Sequence, residues 1–142
     1  MKRRVVITGL GIVTPIGNTV EEFWKNLQAG KSGIGKITYF DASAYDSQIA
    51  GQVKDFNPEN FSSKKDVRHT EKFVHYAMAA SCEAVADCGL VLEKEDLTRC
   101  GVLIGSGIGS LRIIEEQHKI LLDRGPSKLH PFLIPMLIVN EA

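Results

Sequence analysis

Two short apolar runs, Val5-Val6-Ile7-Thr8 and Val102-Leu103-Ile104, each stop at a glycine-rich turn and are each followed by a stretch of helical periodicity. Such runs read as strands buried on both faces, as in a parallel sheet covered by helices. Strand, glycine turn and helix, used twice, is the grammar of an α/β fold. The first turn closes with Pro15, Gly17 and Asn18, and the spacing predicts a helix over Thr19 to Ala29, ended by Gly30. Thr19 with Glu22, or Asn18 with Glu21, can form its capping box, and Val20, Phe23, Trp24 and Leu27 make an apolar stripe that places Trp24 in a core.

Between Lys31 and Asp66 the texture turns to Gly, Ser, Asp and Asn with short apolar pieces. Ile49, Gly51, Val53 and Phe56 read as one edge strand, bounded by an Asn57-Pro58 turn. The segment is too rich in Ile, Tyr, Phe and Val for disorder. It ends in Lys64, Lys65 and Arg68 with His69 adjacent, which reads either as a solvated helix start or as an anion-binding patch.

A long helix is expected from about Arg68 to Cys88, ended by Gly89 as a left-handed cap. Phe73, Ala77, Ala80, Ala84 and Cys88 share one face, and the neighbouring small residues imply close packing. Cys82 and Cys88 are then buried structural thiols. His69 and His75 are spaced too far apart to form a metal pair on one face and count as surface or satisfied histidines. After the second glycine turn, Ser110 to Leu122 reads as a helix with Leu111, Ile114, Leu121 and Leu122 inward, stopped by Gly125 and Pro126. Ile108, set between glycines, reads either as a close backbone approach to something apolar or as plain strand-helix packing. Pro131 to Val139 is almost wholly apolar, so a partner covers it or the chain has been cut.

Composition narrows the function classes. The 17 basic and 17 acidic residues cancel, which gives no global signal for nucleic acid or anionic membrane. Neither glycine turn matches a dinucleotide fingerprint, since Thr14 and Ser110 stand where the third glycine belongs. Lys2, Arg3 and Arg4 before an apolar run resemble a secretory signal, yet glycines and a proline interrupt it and no cleavage site follows. No run approaches the ~18 apolar residues of a membrane span, so a cytoplasmic protein is expected. The three cysteines have neither metal nor disulfide spacing.

Five segments, in order, carry a resemblance: RRVVITGLGIVTPIGN, GKSGI with FDASAYDSQIAGQVKDF, RHTEKFVHYA, IGSGIGSL with EEQH, and GPSKLHPFLIP to IVN. Over residues 1–142 the chain resembles the N-terminal portion of the elongating β-ketoacyl-acyl carrier protein synthases. The resemblance implies a thiolase-like fold of α-β-α-β-α layers, of which most of the N-terminal half is present. It also implies an acyltransferase of fatty acid synthesis that joins acyl and malonyl thioesters by decarboxylative Claisen condensation. Partners would be acyl carrier protein and a second copy in a homodimer, with no cofactor. By the same resemblance Ile108, Phe132 and Leu133 belong to the acyl pocket, the last two across the dimer interface. Lys64, Lys65, Arg68 and Lys128 would receive the acidic carrier protein, while His69 and Ser127 replace residues that are often basic. The family's nucleophilic cysteine follows the IVN motif and both its histidines lie far beyond, so no catalytic residue is expected here and this chain alone is expected to be inactive. The alternative is a non-catalytic carrier-binding or dimerisation module.

Overall fold

The computed structural model describes residues 3–142; Lys2, part of the signal-like start, lies outside the described residues. The chain forms two compact units, one made of residues up to Asn57 with Ala79–Leu90, the other of Pro58–Met78 with Val91–Ala142. Of the three boundaries between them along the chain, that at Met78/Ala79 falls inside a helix, α3 (Lys72–Cys88).

In the first unit α1 (Val20–Gln28) begins at Thr19, whose side chain accepts the Glu22 N–H. Glu22 reaches back one residue further than a regular capping box, to the Asn18 N–H at 2.9 Å. Two short strands, β1 (Ile34–Lys36) and β2 (Ile49–Gly51), pair antiparallel with Gly35 opposite Ala50. The predicted edge strand is thus real but short, and its partner strand β1 was not anticipated. The turn Thr14–Gly17 is closed by reciprocal backbone hydrogen bonds of 2.8 and 3.2 Å.

What fastens the Gly9–Val20 segment to α3 is a pair of carboxylates. Glu83 accepts the Ile12 N–H at 2.9 Å through one oxygen and the Val20 N–H at 2.7 Å through the other. Asp87, one helical turn on, accepts the Leu10 N–H at 2.9 Å. Backbone amides of a turn segment need acceptors, and these acidic side chains supply them. The approach is close enough that a Cβ on Gly11 would fall on the Ala80 carbonyl and one on Gly9 on the Ala84 carbonyl. The small face Ala80, Ala84 and Cys88 is therefore the face that packs, as its spacing indicated.

The second unit contains α2 (Lys64–His69), the first turns of α3, α4 (Leu111–Arg124) and α5 (Leu133–Leu137). Ser110 caps α4, and Gly125 at φ +83° ends it before Pro126. Ile113, Gln117 and Met136 are buried here together with Val74 and His75.

Several expectations are corrected. Val5–Thr8 and Val102–Ile104 form no strand, and Val5, Ile7, Val102 and Leu103 are between 83% and 100% exposed. A buried strand needs a hydrogen-bonded neighbour on each edge and apolar cover on both faces; neither run has a ladder partner among the described residues. The helix predicted over 68–88 is two helices, because Thr70 is extended (φ −128°, ψ 168°) between α2 and α3. Gly89 does end α3 in the left-handed region (φ +66°). Trp24 is 56% exposed instead of core, and the residue of α1 that is buried is Asn26, whose amide donates to the Ile16 carbonyl. Cys82 is exposed and Cys88 only partly covered. On α4 the inward residues are Ile113 and Gln117, while Leu111, Ile114, Leu121 and Leu122 are exposed.

Replacing Glu83 by Gln leaves one acceptor for two amides and is expected to cost about 2 kcal/mol, the scale of a charged hydrogen bond. Urea unfolding followed by circular dichroism measures this, and an unchanged midpoint would contradict the clamp.

Candidate functional site

The residues singled out for function all fall in the second unit. Ser63 caps α2 by accepting the Asp66 N–H at 3.1 Å and donating to the Asp66 carboxylate at 2.7 Å. That short helix displays Lys64, Lys65 and Arg68 to solvent. Lys64 pairs with Glu59 at 3.6 Å, and the Arg68 Nε–H donates to the Lys64 carbonyl at 3.3 Å. Lys128 is exposed on a single 3-10 turn, Pro126–Lys128. The end of α2 and the chain just beyond Lys128 are joined by His69, whose ring stacks on Phe132 with centroids 3.9 Å apart and planes 11° from parallel.

Phe132 stands at the start of α5 and is held at two points, its N–H and its ring, the first through a His130 that is itself anchored. Its N–H donates to His130 Nδ1 at 3.2 Å, the His130 N–H donates to the buried Gln117 side chain at 2.7 Å, and His69 covers its ring. Leu133 follows and lines an apolar groove of about 310 Å³ with Ile114, Gln117, His118, Leu121, Leu129 and Leu137. The outward residues Ile114 and Leu121 of α4 are therefore groove wall. Ile108 is not part of that groove: it stands 61% exposed in the loop before α4. The close backbone approach in that loop is at Gly109, whose φ is +80° and whose Cβ would fall on the Leu137 carbonyl, a polar neighbour instead of the apolar one expected beside Ile108.

A polar cluster that spacing did not reveal sits at the break between α2 and α3. Glu71, 4% exposed, accepts the Ser110 hydroxyl at 3.0 Å through one carboxylate oxygen and Arg112 Nη2 at 2.7 Å through the other. Arg112 also pairs with Glu116 at 2.7 Å, and its pKa is raised, first by the Glu71 hydrogen bond. A buried carboxylate has to be paired in this way. Glu71 lay inside what reads as continuous helix, and a contact 39 residues away leaves no periodic signal. Next to it the Thr70 hydroxyl donates to the Asp66 carbonyl at 2.6 Å and lies 3.0 Å from His75 Nε2. His75 is thus a satisfied, buried histidine, as expected.

The cysteines show no catalytic setting. Cys88 donates to the Val85 carbonyl at 3.2 Å, Cys100 lies 3.7 Å from the Asp96 carbonyl, and Cys82 is exposed. Among the described residues no cluster of three His, Cys, Asp or Glu could hold a metal ion, and no helix is long and apolar enough to cross a membrane. The first unit carries a separate polar cavity of about 190 Å³ beside Asn18, Asn26, Lys31 and Lys54. No sequence signal pointed to it.

Comparison with known proteins gives a consistent result. The family model of the β-ketoacyl synthase N-terminal domain matches residues 2–140. The chain is 48% identical over 141 residues to a 3-oxoacyl-[acyl-carrier-protein] synthase 2 of Synechocystis, covering 99% of this chain and 34% of that protein. A protein of the same description from Vibrio cholerae is 49% identical over 139 residues, again with 34% of its length matched. Among solved structures, the ishigamide ketosynthase/chain length factor superposes with a TM-score of 0.79 at 30% identity, over 97% of this chain and 34% of that one. The chain thus spans about a third of the length of these relatives, and it folds like the corresponding part of a ketosynthase.

The His75 pKa is lowered from the ordinary 6.5, first by burial, which outweighs the attraction of Glu71 and a hydrogen bond with the Val67 backbone. The folded state therefore keeps the imidazole neutral, while the unfolded chain takes up a proton near the ordinary value. Its contribution to stability is fully present above that value and is lost as the pH falls from there through the folded pKa. Acidification to about pH 5 is expected to lower the urea midpoint of the native chain more than that of His75→Gln. Equal losses in the two would contradict the assignment.

Proposed function

The chain belongs to the β-ketoacyl synthase N-terminal domain family, and from that membership we propose that it supplies the carrier-docking helix and part of the acyl-pocket wall of a 3-oxoacyl-acyl carrier protein synthase. The observation that carries this reading is the match over residues 2–140, with relatives 48–49% identical along almost the whole chain. In the reaction proposed, the acyl group is held as a thioester on a cysteine thiolate. Loss of CO2 from a malonyl thioester leaves a carbanion that attacks the acyl carbonyl and expels the thiolate. Neither the nucleophile nor the two assisting histidines is assigned to this chain, so it binds and positions, and by itself does not condense.

The roles of individual residues follow. Lys64, Lys65 and Arg68 on α2, with Lys128, receive the acidic face of an acyl carrier protein by charge-assisted steering. Ile108 gates the acyl pocket, and Phe132 and Leu133 complete it across a homodimer interface. Their exposure or partial exposure supports this, since a wall facing a ligand from another subunit is open in a single chain. The reading places the protein in the cytoplasm.

Two experiments test it. Titration of the chain with an unacylated carrier protein should show binding that weakens with salt and falls by about tenfold or more when Lys64, Lys65 and Arg68 are all changed to Glu. Salt-independent binding untouched by those changes would refute the docking assignment. Incubation with an acyl-carrier donor should leave the intact mass unchanged, whereas an acyl adduct on Cys82, Cys88 or Cys100 would show that a nucleophile is present after all.

A further inference from the structure

We propose that Glu71 is a positioning residue for the acyl pocket, fixing through Ser110 the loop that presents Ile108. The inference rests on the reading of Ile108 as a pocket residue and adds what decides where that residue stands. Ile108 is 61% exposed, so its position depends on the backbone of Ser106–Ser110 that carries it. That backbone is held at three points. The Gly109 N–H donates to the Ser106 hydroxyl at 3.2 Å, Gly109 itself seats against the Leu137 carbonyl, and Ser110 is tied to Glu71.

The third point is the one with the charge behind it. Ser110 is 8% exposed, its hydroxyl oxygen faces the Ile113 N–H at 3.4 Å, and its single proton goes to Glu71. One hydroxyl therefore both caps α4 and anchors the loop. Glu71 can serve as that anchor because Arg112, two residues into the same helix, neutralises its other oxygen at 2.7 Å. The carboxylate stands just after the extended Thr70 that ends α2, and its side-chain hydrogen bonds go to Ser110 and Arg112 at the start of α4. A chain-length preference set by Ile108 then depends on Glu71, although Glu71 touches no substrate.

The test uses the full 142-residue chain and the variants Glu71→Gln and Ser110→Asp. Gln keeps the size but offers one acceptor to two donors. Asp at 110 keeps an N-cap acceptor for α4 while placing a carboxylate against Glu71, so it separates the cap from the anchor. Two quantities are read: amide hydrogen exchange of Ser106–Ile113, and affinity for a carrier protein bearing octanoyl, palmitoyl or no acyl group. Both variants should exchange about tenfold faster in the loop, equivalent to about 1.4 kcal/mol, with the second half of α4 unchanged. They should also flatten the ratio of octanoyl to palmitoyl affinity while binding the unacylated carrier as the native chain does. A merely structural role would shift all three affinities together and would overturn the proposal, as would unchanged loop exchange in Glu71→Gln. If the native chain fails to distinguish the acyl groups, the pocket reading of Ile108 falls and the specificity role of Glu71 falls with it. Loop exchange then still shows whether the anchor exists, so the two failures are told apart.

Discussion

Acidic side chains on or beside α3 satisfy turn and loop groups that find no partner in a sheet, and the starts of α1 and α4 depend on this. In the first unit Glu83 gathers the Ile12 and Val20 amides and Asp87 the Leu10 amide, which draws the glycines against Ala80 and Ala84 and sets the start of α1. In the second unit Glu71 accepts Ser110 and Arg112 and so sets the start of α4. The constraint is the general one that partly or fully buried polar groups must be paired. Here, where strand ladders among the described residues amount to one short antiparallel pair, carboxylates take over part of that task.

This explains what was legible in the sequence and what was not. Local signals held: the Thr19 cap, the end of α3 at Gly89, the stop at Gly125-Pro126 and the small-residue face of α3 all depend on residues within a turn or two of one another. Burial was misjudged at Trp24, Leu111, Leu122 and both apolar runs. Periodicity tells which side of an element is apolar; it does not tell whether anything packs over that side. The clamps at Glu71 and Glu83 were not visible because they bridge residues from 39 to 71 positions apart, and a lone Glu in a helix carries no mark of its partner. The break at Thr70 belongs to the same class. Its backbone is extended there, and its hydroxyl bonds back to Asp66, an arrangement that helical patterning alone does not indicate.

The site residues, by contrast, came from resemblance to a family and not from periodicity. The structure adds the physical context in which those roles become reasonable. Lys64, Lys65 and Arg68 share one exposed helix, the ring of Phe132 stacks on His69 while its N–H donates to His130, and Leu133 lines an apolar groove with Ile114 and Leu121. The basic residues of α2, the Phe132 ring and the loop of Ile108 thus belong to one unit, which also holds the buried Glu71.

In the function proposed, the second unit is what meets an acyl carrier protein. The most direct test of this is an NMR titration of the isotopically labelled chain with that carrier. Shifts are expected to be confined to α2, to the turn at Lys128 and to their immediate neighbours, with the Gly9–Val20 segment and β1–β2 unaffected. Perturbation centred on the first unit, or none at carrier concentrations where the family's intact synthases bind, would contradict it.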